Sequence, residues 1–311
     1  MTRHFSYTIT ESDSNKTIDR FLRSKGFSHQ SITELKRQER SILIGDEWMH
    51  TSYILKCGDT LDICLSETTT SENIIPIDIP LNIIYEDDDI LVINKPARMP
   101  IHPSLNHYEN TLANAVVHYY TSQGDNFVFR CINRLDRDTT GLTIIAKNLV
   151  SAGILSDMMT RREIKREYLA VVEGHLESTD GTIDAPIARI DDSMITRCVD
   201  YDRGERAITH YHVEKAADDF SLLRLWLETG RTHQIRVHMS HIGHPLLGDF
   251  IYNPKYDAAD YVNQPDDVIK PGVLIARQAL HAYRLLFNHP ITGKSMELIA
   301  PVPDDITSLF E

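Results

Sequence analysis

Apolar positions in residues 1–66 recur at short intervals that predict two helices and several short strands. Ile18, Phe21 and Leu22 share one helical face. A second helix is predicted from Ser31, because Glu34 three positions later would complete a capping box. Strand-like runs separated by Gly-Asp turns follow at residues 41–44, 48–54 and 61–65. This pattern predicts a small α/β domain.

Residues 67–80 interrupt the apolar periodicity. The segment is rich in Thr, Ser, Glu and Pro, a composition typical of a linker. We therefore expect a second domain that covers residues 81–311.

Strand signals outnumber helix signals in this second domain. A hairpin is predicted at residues 83–93 around an acidic turn at 86–89. Thr232 is the predicted N-cap and Gly243 the predicted stop of one helix. The other elements are predicted helices at 110–120 and 150–162, strands at 144–146, 168–172, 209–213 and 222–227, and two strands around a turn at 290–293. Because several strands are hairpin-linked, we expect an α+β fold with a mixed, largely antiparallel central sheet.

The composition indicates a folded globular protein. The chain has 311 residues, of which 41% are hydrophobic and 25% charged, close to globular averages. It has neither a signal-like N-terminus nor the apolar run of about 18 residues that a membrane span needs, so we expect a cytoplasmic protein without membrane contacts. The cysteines are scattered without a CxxC pair, which indicates neither a disulfide framework nor a thiolate zinc site.

The net charge bears on the choice of partner. Taken alone, a net charge of -13 argues against nucleic acid, because RNA binding relies on Lys and Arg that neutralise phosphates. The acidic residues cluster at 86–89 and 180–192, however, and the basic residues cluster elsewhere. A local basic surface is therefore compatible with the overall charge.

The stretch NRLDRDTTG at residues 133–141 concentrates side chains that are expensive to bury. Asp136 has an arginine on either side, Arg134 and Arg137, which favours its ionised form. Such a carboxylate can act as a nucleophile or hold a cation. The alternative is an ion-paired loop that fixes the start of the following strand, and the spacing alone favours that alternative.

The same stretch resembles the HRLDRDTSG motif of the RluA-type family of RNA pseudouridine synthases. Asn133 stands where the family usually has His, and Thr140 where it usually has Ser. The resemblance implies that Asp136 is the catalytic aspartate. It also implies that Arg134 fills the stack when the target uridine flips out.

Two further motifs follow in the family's order. KREYLAVVEG at 165–174 resembles the second motif, whose tyrosine maps to Tyr168. ETGRTHQIRVHMSHIGHPLLGD at 228–249 resembles the third, whose arginine maps to Arg236. The resemblance implies that Tyr168 stacks on the uracil and assists proton removal, and that Arg236 holds the carboxylate ionised. Because the reaction rearranges a nucleoside without loss of atoms or electrons, no cofactor is expected.

The N-terminal region resembles the S4 RNA-binding domain, in which a helical pair and the following turn face RNA. The resemblance implies RNA contacts by Lys36, Arg37 and Arg40, although Ile44-Gly45-Asp46 replaces the usual Val-Asn-Gly turn. The alternative is an ordinary solvated helix face. Further candidates for phosphate contacts, each of which is equally compatible with a solvated helix end, are Arg161, Arg162, Lys165 and Arg166.

The resulting hypothesis is an RNA pseudouridine synthase that acts as a monomer on structured RNA, with ribosomal RNA favoured over transfer RNA. One alternative is a non-catalytic RNA-binding protein. Another is a glycoside or nucleoside hydrolase that uses Asp136 and Asp138 as a carboxylate pair.

Bound cofactors and metals are not expected. The spacing of His233, His238, His241 and His244 does not match the i, i+4 pairing of helical zinc ligands. The absence of a glycine-rich phosphate loop from the sequence argues against a nucleotide cofactor.

Overall fold

A computed structural model describes residues 1–71, 73–104, 108–191, 193, 195–256 and 274–311. Residues 1–66, here called the N-terminal unit, form an antiparallel sheet in the order β1-β4-β2-β3 with two helices. Its elements are β1 (Thr2–Thr8), α1 (Ile18–Ser24), α2 (His29–Arg37), β2 (Ile42–Ile44), β3 (Glu47–Trp48) and β4 (Thr60–Ser66). Ile18, Phe21 and Leu22 are buried, as their shared helical face predicted.

The boundaries of this unit differ from the sequence-based prediction in three places. The predicted capping box at Ser31 is wrong, because α2 begins at His29 and the Ser28 side chain accepts from the Ser31 amide at 3.1 Å. The predicted strand at 48–54 is reduced to the two residues of β3. Strand β1 was not predicted, because one of its three inward positions, Arg3, is charged and only Phe5 and Tyr7 signal a buried face.

The described residues of 81–311, here called the large domain, are built around one large sheet. Its elements are β5 (Ile83–Glu86), β6 (Ile90–Lys95), α3 (Leu112–Thr121), β7 (Thr140–Ala146), α4 (Leu149–Thr160), β8 (Lys165–Glu173), β9 (Asp180–Asp184), β10 (Ile187–Arg189), β11 (Arg197–Val199), β12 (Ile208–Ala216), β13 (Phe220–Leu227), α5 (Gln234–His241), β14 (Leu280–Asn288), β15 (Ser295–Ile299) and α6 (Asp304–Thr307). The strand order is β5-β6-β7-β14-β8-β13-β12-β9, with β15 beside β14 and a separate β10-β11 hairpin. Within the described ranges only β7 and β14 pair in parallel, so the predicted α+β fold with a largely antiparallel sheet is confirmed.

Helices cover both faces of this sheet. In β6, Leu91 and Ile93 face α3, whereas Ile90 and Val92 face α4. A strand that is buried on both faces needs a continuous apolar run, which the segment ILVI supplies. Helix α5 packs its apolar side on β8 and β13.

Residues 67–80 contain no helix or strand at their described positions, but they are bonded to the large domain. The Ser71 hydroxyl accepts from the Phe129 amide at 3.0 Å, and the Ile77 amide donates to the Asn114 carbonyl at 3.3 Å. Ile74 and Ile79 pack against the α3 cluster. The predicted linker therefore follows the surface of the large domain.

Among the described helices, none has the length and apolar character needed to cross a membrane.

Candidate active site

The loop that carries Asp136 lies directly before β7 and is tied to that strand by Asn133. The Asn133 side chain donates to the Leu142 carbonyl at 2.9 Å and accepts from the Ile144 amide at 2.8 Å. Asn133 is 2% exposed, so both halves of its amide are used inside the protein. The residue that departs from the usual family motif therefore anchors the loop.

A buried lysine, Lys95, binds backbone carbonyls at and near the loop. The Lys95 ammonium, fully buried, donates to the carbonyls of Pro96, Met99 and Arg137 at 2.7, 2.9 and 2.9 Å. Burial lowers the pKa of Lys95 to about 7, although the charge of Asp138 opposes the shift. The Lys95 side chain thus satisfies three backbone carbonyls, one of which belongs to the residue next to Asp136.

The end of the loop is fixed where β7 meets β14. Thr140 Oγ1 and His281 Nδ1 share a hydrogen bond of 2.8 Å. The next residue, Gly141, has φ of +108° and lies against the Ala282 backbone, so that a Cβ at this position would collide with it. The glycine of the NRLDRDTTG stretch is therefore required by the close approach of two parallel strands.

The Asp136 carboxylate is held by Arg236. Arg236 Nη1 lies 3.1 Å from Asp136 Oδ2, and the Asp136 side chain is 25% exposed. On its other edge the guanidinium makes a bidentate pair with Asp249, Nε to Oδ2 at 2.7 Å and Nη2 to Oδ1 at 2.9 Å. Burial opposes the charge on Arg236, but Asp249 and Asp136 outweigh it and raise the pKa of the guanidinium.

Helix α5 presents Arg236 to the loop through an irregular start. The predicted N-cap at Thr232 is wrong: the cap position is His233, which has φ of +57° and makes no side-chain cap. Its Nδ1 instead shares a 2.8 Å hydrogen bond with the Tyr252 hydroxyl, and its Nε2 lies 3.8 Å from Asp136 Oδ2. Burial lowers the pKa of His233. The carboxylate therefore has two different neighbours, the charged Arg236 and the His233 imidazole, whose charged form is disfavoured by burial.

Tyr168 completes the small pocket around Asp136. It extends from β8, is 5% exposed, and lines a pocket of about 80 Å³ with Asp136 and Arg236. Burial raises the pKa of Tyr168, and the neighbouring Arg166 partly opposes that shift. The phenol therefore stays protonated at neutral pH.

The pocket opens into a larger basic cleft of about 820 Å³. This volume is within the range of small-molecule sites, roughly 300 to 1,000 Å³. Asp136 and Arg134 line both the pocket and the cleft. Arg162, Lys165 and Arg166 line the cleft as well, so these side chains converge on one opening.

The remaining RNA-binding candidates lie elsewhere. Arg161 does not line the cleft and pairs with Asp157 at 3.0 Å and Glu163 at 3.4 Å. On the N-terminal unit, the three candidates Lys36, Arg37 and Arg40 are exposed at or just after the end of α2. Lys36 lies 3.7 Å from Asp19 and Arg37 lies 3.8 Å from Glu34.

Four arginines that were not among the sequence candidates extend the basic surface. A concave site of about 470 Å³ shares Arg134 with the cleft and is further lined by Arg189, Arg197, Arg203 and Arg231. Arg203 pairs with Asp191 and Asp200, and Arg231 pairs with Glu205. Within the described ranges, Arg134, Arg189 and Arg197 have no carboxylate partner. The β10-β11 hairpin pairs Arg189 with Arg197, and the tertiary fold brings Arg134 and Arg231 from distant segments to the same site.

Asp138 is oriented away from the cleft. It is 3% exposed and accepts from the Arg98 amide and the Arg137 guanidinium, each at 3.2 Å. Its carboxylate lines neither the pocket nor the cleft. Asp136 and Asp138 therefore do not face one sugar across a shared cavity, as the hydrolase alternative requires.

One cluster has the composition of a metal site but is occupied by hydrogen bonds. Asp87, Asp89 and His289 bring their ligand atoms within 4.8 Å of one another. However, His289 Nε2 bonds Asp87 at 2.8 Å, and Arg3 donates to both oxygens of Asp89. The ligand atoms already have protein partners, which fits a structural role.

Comparison with known proteins agrees with this geometry. Residues 89–241 match the sequence profile described as RNA pseudouridylate synthase. An uncharacterized RNA pseudouridine synthase of Bacillus subtilis, YjbO, is 38% identical over 295 residues, which cover 95% of this chain and 98% of that protein. Ribosomal large subunit pseudouridine synthase D of Escherichia coli strain K12 is 43% identical over 236 residues, covering 76% of this chain and 71% of its own length.

Solved structures give the same result. Human RNA Pseudouridylate Synthase Domain Containing 1 superposes with a TM-score of 0.55 at 28% identity, covering 71% of this chain and 83% of that one. This chain belongs to the RluA-type family of RNA pseudouridine synthases, and it has their fold. Such proteins are isomerases, as the three motifs predicted.

Proposed function

We propose that this chain converts uridine to pseudouridine in structured RNA and that Asp136 is its catalytic carboxylate. The observation that carries the proposal is the position of Asp136, a partly exposed carboxylate that lines a basic cleft and lies 3.1 Å from a buried arginine. A carboxylate paired with an arginine can act as a nucleophile without a separate general base. Tyr168 and Arg236 complete the proposed catalytic set.

One carboxylate is enough for this reaction, because the bond that breaks, C1' to N1, and the bond that forms, C1' to C5, involve the same sugar carbon. Asp136 adds to C1' as the bond to uracil N1 breaks, and the uracil leaves as an anion. After the base rotates, C5 attacks C1' and Asp136 is released. The proton on C5 is then removed and N1 gains one, so that atoms and electrons balance. Tyr168, neutral in its buried position, stacks on the uracil and takes part in this proton transfer.

Access to the uridine requires that the base leaves its stack, which costs a few kcal/mol. Arg134, exposed at the rim of the cleft, is placed to fill the gap. Phosphates of the flanking RNA bind the basic surface formed by Arg162, Lys165 and Arg166. The arginines of the adjoining site, Arg189 and Arg197, extend this surface.

The N-terminal unit is proposed to be an S4-type RNA-binding domain at residues 1–66, followed by a linker at 67–80 and a catalytic domain at 81–311. Its two helices and small sheet are consistent with that assignment. Lys36, Arg37 and Arg40 are the proposed RNA contacts of this domain. A relative named as a ribosomal large subunit pseudouridine synthase supports ribosomal RNA as the substrate. We place the enzyme in the cytoplasm as a monomer.

Carbodiimide mapping of pseudouridines in total RNA, with and without the gene, tests this function. The deletion is expected to lose one or more sites, which the wild-type gene restores and Asp136→Asn does not. Asp218→Asn, which changes an exposed carboxylate outside the cleft, is the matched control and should restore the sites. If no site disappears in the deletion, the proposed activity is wrong. If purified protein binds structured RNA without changing a uridine, the non-catalytic alternative is favoured.

A further inference from the structure

An ion pair joins the N-terminal unit to the large domain through a buried carboxylate. Arg3 on β1 donates to both oxygens of Asp89, Nε to Oδ1 at 3.0 Å and Nη2 to Oδ2 at 2.9 Å. Asp89 is 2% exposed and also accepts from Asn148 at 2.9 Å and Ser151 at 3.3 Å. Asn148 is the N-cap of α4, so the contact reaches the first turn of that helix.

Apolar side chains continue across the same boundary. Val150 of α4 is fully buried in the cluster that contains Phe21 and Phe27, and Ile154 packs against that cluster. Gly26 lies so close to α4 that a Cβ would stand 2.6 Å from Ile154 Cγ1. The core of the N-terminal unit therefore includes part of the large domain, unlike the wet and polar contact of two freely moving domains.

Glu67 closes the connection between the two parts. One oxygen of its carboxylate accepts from the Leu149 amide at 2.7 Å, and the other pairs with Arg130. The Glu67 side chain is 10% exposed. We call Arg3, Asp89 and Glu67 the clasp, because each joins the N-terminal unit or its following segment to the large domain.

Helix α4 spans the distance between the clasp and the cleft. Its first turn contacts the N-terminal unit, and Met159 and Thr160 at its other end line the cleft. Its 12 residues correspond to roughly 18 Å at about 1.5 Å of rise per residue. Because α2 packs beside α4, the exposed Lys36 and Arg37 are held at a set distance from Asp136.

We propose that the clasp makes the N-terminal unit a fixed second RNA-binding surface, so that the enzyme selects RNA that reaches both α2 and Asp136. The inference rests on the proposed function. The partner is a structured RNA whose phosphates contact Lys36 and Arg37 while the target uridine occupies the pocket. Arg3, Asp89 and Glu67 are positioning residues in this scheme.

Docking of the N-terminal unit raises the effective concentration of the second RNA-binding surface for an RNA that is already bound at the cleft. A binding surface on a loose tether spreads its second contact over many orientations, whereas a docked one presents it in a single geometry. A flexible segment as long as residues 67–80 would have a root-mean-square span of about 20 Å, comparable to the length of α4. Docking therefore replaces a broad range of distances between α2 and Asp136 by a single distance. A long RNA that reaches both surfaces binds more tightly as a result, whereas a short hairpin that reaches only the pocket does not.

Steady-state kinetics on two RNA substrates test the proposal. One is RNA extracted from cells that lack the gene, and the other is a hairpin of about 20 nucleotides around the uridine found by mapping. Arg3→Met is expected to lower kcat/KM on the long RNA by about 10-fold, mainly through KM, and to change the hairpin rate by less than about 2-fold. Lys16→Met is the matched control, because Lys16 pairs with Asp13 inside the N-terminal unit and does not touch α2.

A double-mutant cycle separates positioning from general damage. If the clasp acts by placing α2, then Lys36→Ala costs about 10-fold in the wild type and much less in Arg3→Met. Glu67→Gln, which weakens the clasp at another point, should reproduce the Arg3→Met pattern and serves if Arg3→Met does not fold.

Each outcome has a distinct meaning. Equal losses on both substrates, or additive effects of Arg3→Met and Lys36→Ala, would overturn the inference, as would unchanged activity on the long RNA. A wild-type protein that forms no pseudouridine in either substrate would instead remove the proposed function. The pattern of a loss on long RNA alone, with a non-additive cycle, supports a fixed second surface.

Discussion

The floor and the rim of the cleft are both rich in charge but are built in opposite ways. By the floor we mean the partly exposed Asp136 together with the buried side chains behind it, Arg236, Asp249 and Lys95, all of which are bonded to fixed partners. The rim is formed by Arg134, which is exposed, and by the arginines of the adjoining site. Among the described residues, Arg134, Arg189 and Arg197 of this rim have no carboxylate partner.

This difference explains how one protein of net charge -13 provides both a catalytic carboxylate and a surface for RNA phosphates. A reacting carboxylate needs a single orientation, which buried and fully bonded neighbours supply. Phosphates of RNA arrive in varied geometry and bring their own charge, so exposed arginines on long side chains suit them. Acidic residues occupy part of the rim, where Arg203 and Arg231 are ion-paired, so RNA binding there depends mainly on Arg134, Arg189 and Arg197.

The largest expected effect is at the centre of the floor. Asp136→Asn should lower kcat by roughly 10⁴-fold or more, because the substituted amide cannot add to C1'. RNA affinity should change by less than about 3-fold, since the rim is intact. Single-turnover kinetics and filter binding measure the two quantities. A variant with near wild-type turnover would show that the floor's central carboxylate is not catalytic.

Replacing Arg236, the cation that pairs with Asp136, should lower both the stability and the activity of the protein. Arg236→Met leaves Asp249 buried without its bidentate partner, so we expect a loss of about 3 to 5 kcal/mol in the free energy of unfolding. Urea denaturation checks this value. Arg23→Met, which changes an arginine paired with Asp19 on the more exposed surface of α1, should cost less than about 1 kcal/mol. Similar losses in both variants would contradict the contrast between buried and exposed pairs.

Burial should also make the framework beneath the cleft sensitive to acid. Burial lowers the pKa of His281 to about 4, whereas the unfolded side chain titrates near 6.5. The unfolded state therefore binds the proton first, so stability present above about pH 6.5 is lost as the pH falls towards 4, by up to about 3 kcal/mol. Urea denaturation from pH 4 to 7 should show a smaller loss in His281→Asn, while exposed His50→Asn should follow the wild type. Identical slopes in wild type and His281→Asn would exclude this linkage.

The smallest effects are expected at the rim. Arg189→Ala and Arg197→Ala should each weaken RNA binding by roughly 3- to 10-fold and reduce the slope of log affinity against log salt by about 1. Single-turnover kcat at saturating RNA should stay close to wild type, because neither side chain lines the pocket around Asp136. Salt titrations of affinity measure the slope. The control Arg224→Ala, outside the cleft, should leave it unchanged, and equal slopes in all variants would argue against phosphate contacts at the rim.

The sequence predicted the parts of the molecule that depend on local pattern. The α+β class, most helices and the C-terminal hairpin follow from apolar periodicity and turn residues. The predicted N-caps of two helices were wrong because a neighbouring group fixes the start of each helix. At α2 the cap is Ser28 rather than Ser31, and at α5 a hydrogen bond between His233 and Tyr252 replaces a side-chain cap.

For the site, the motifs by themselves singled out Asp136, Tyr168 and Arg236, because each lies in a short stretch with a family-like order. The tertiary structure decided what holds them: Asp249 behind Arg236, and the buried Lys95 beneath the loop. It also assembled the rim from arginines on separate strands and loops. Such contacts depend on strand pairing and helix packing between distant segments, which leave no periodic signal in the sequence.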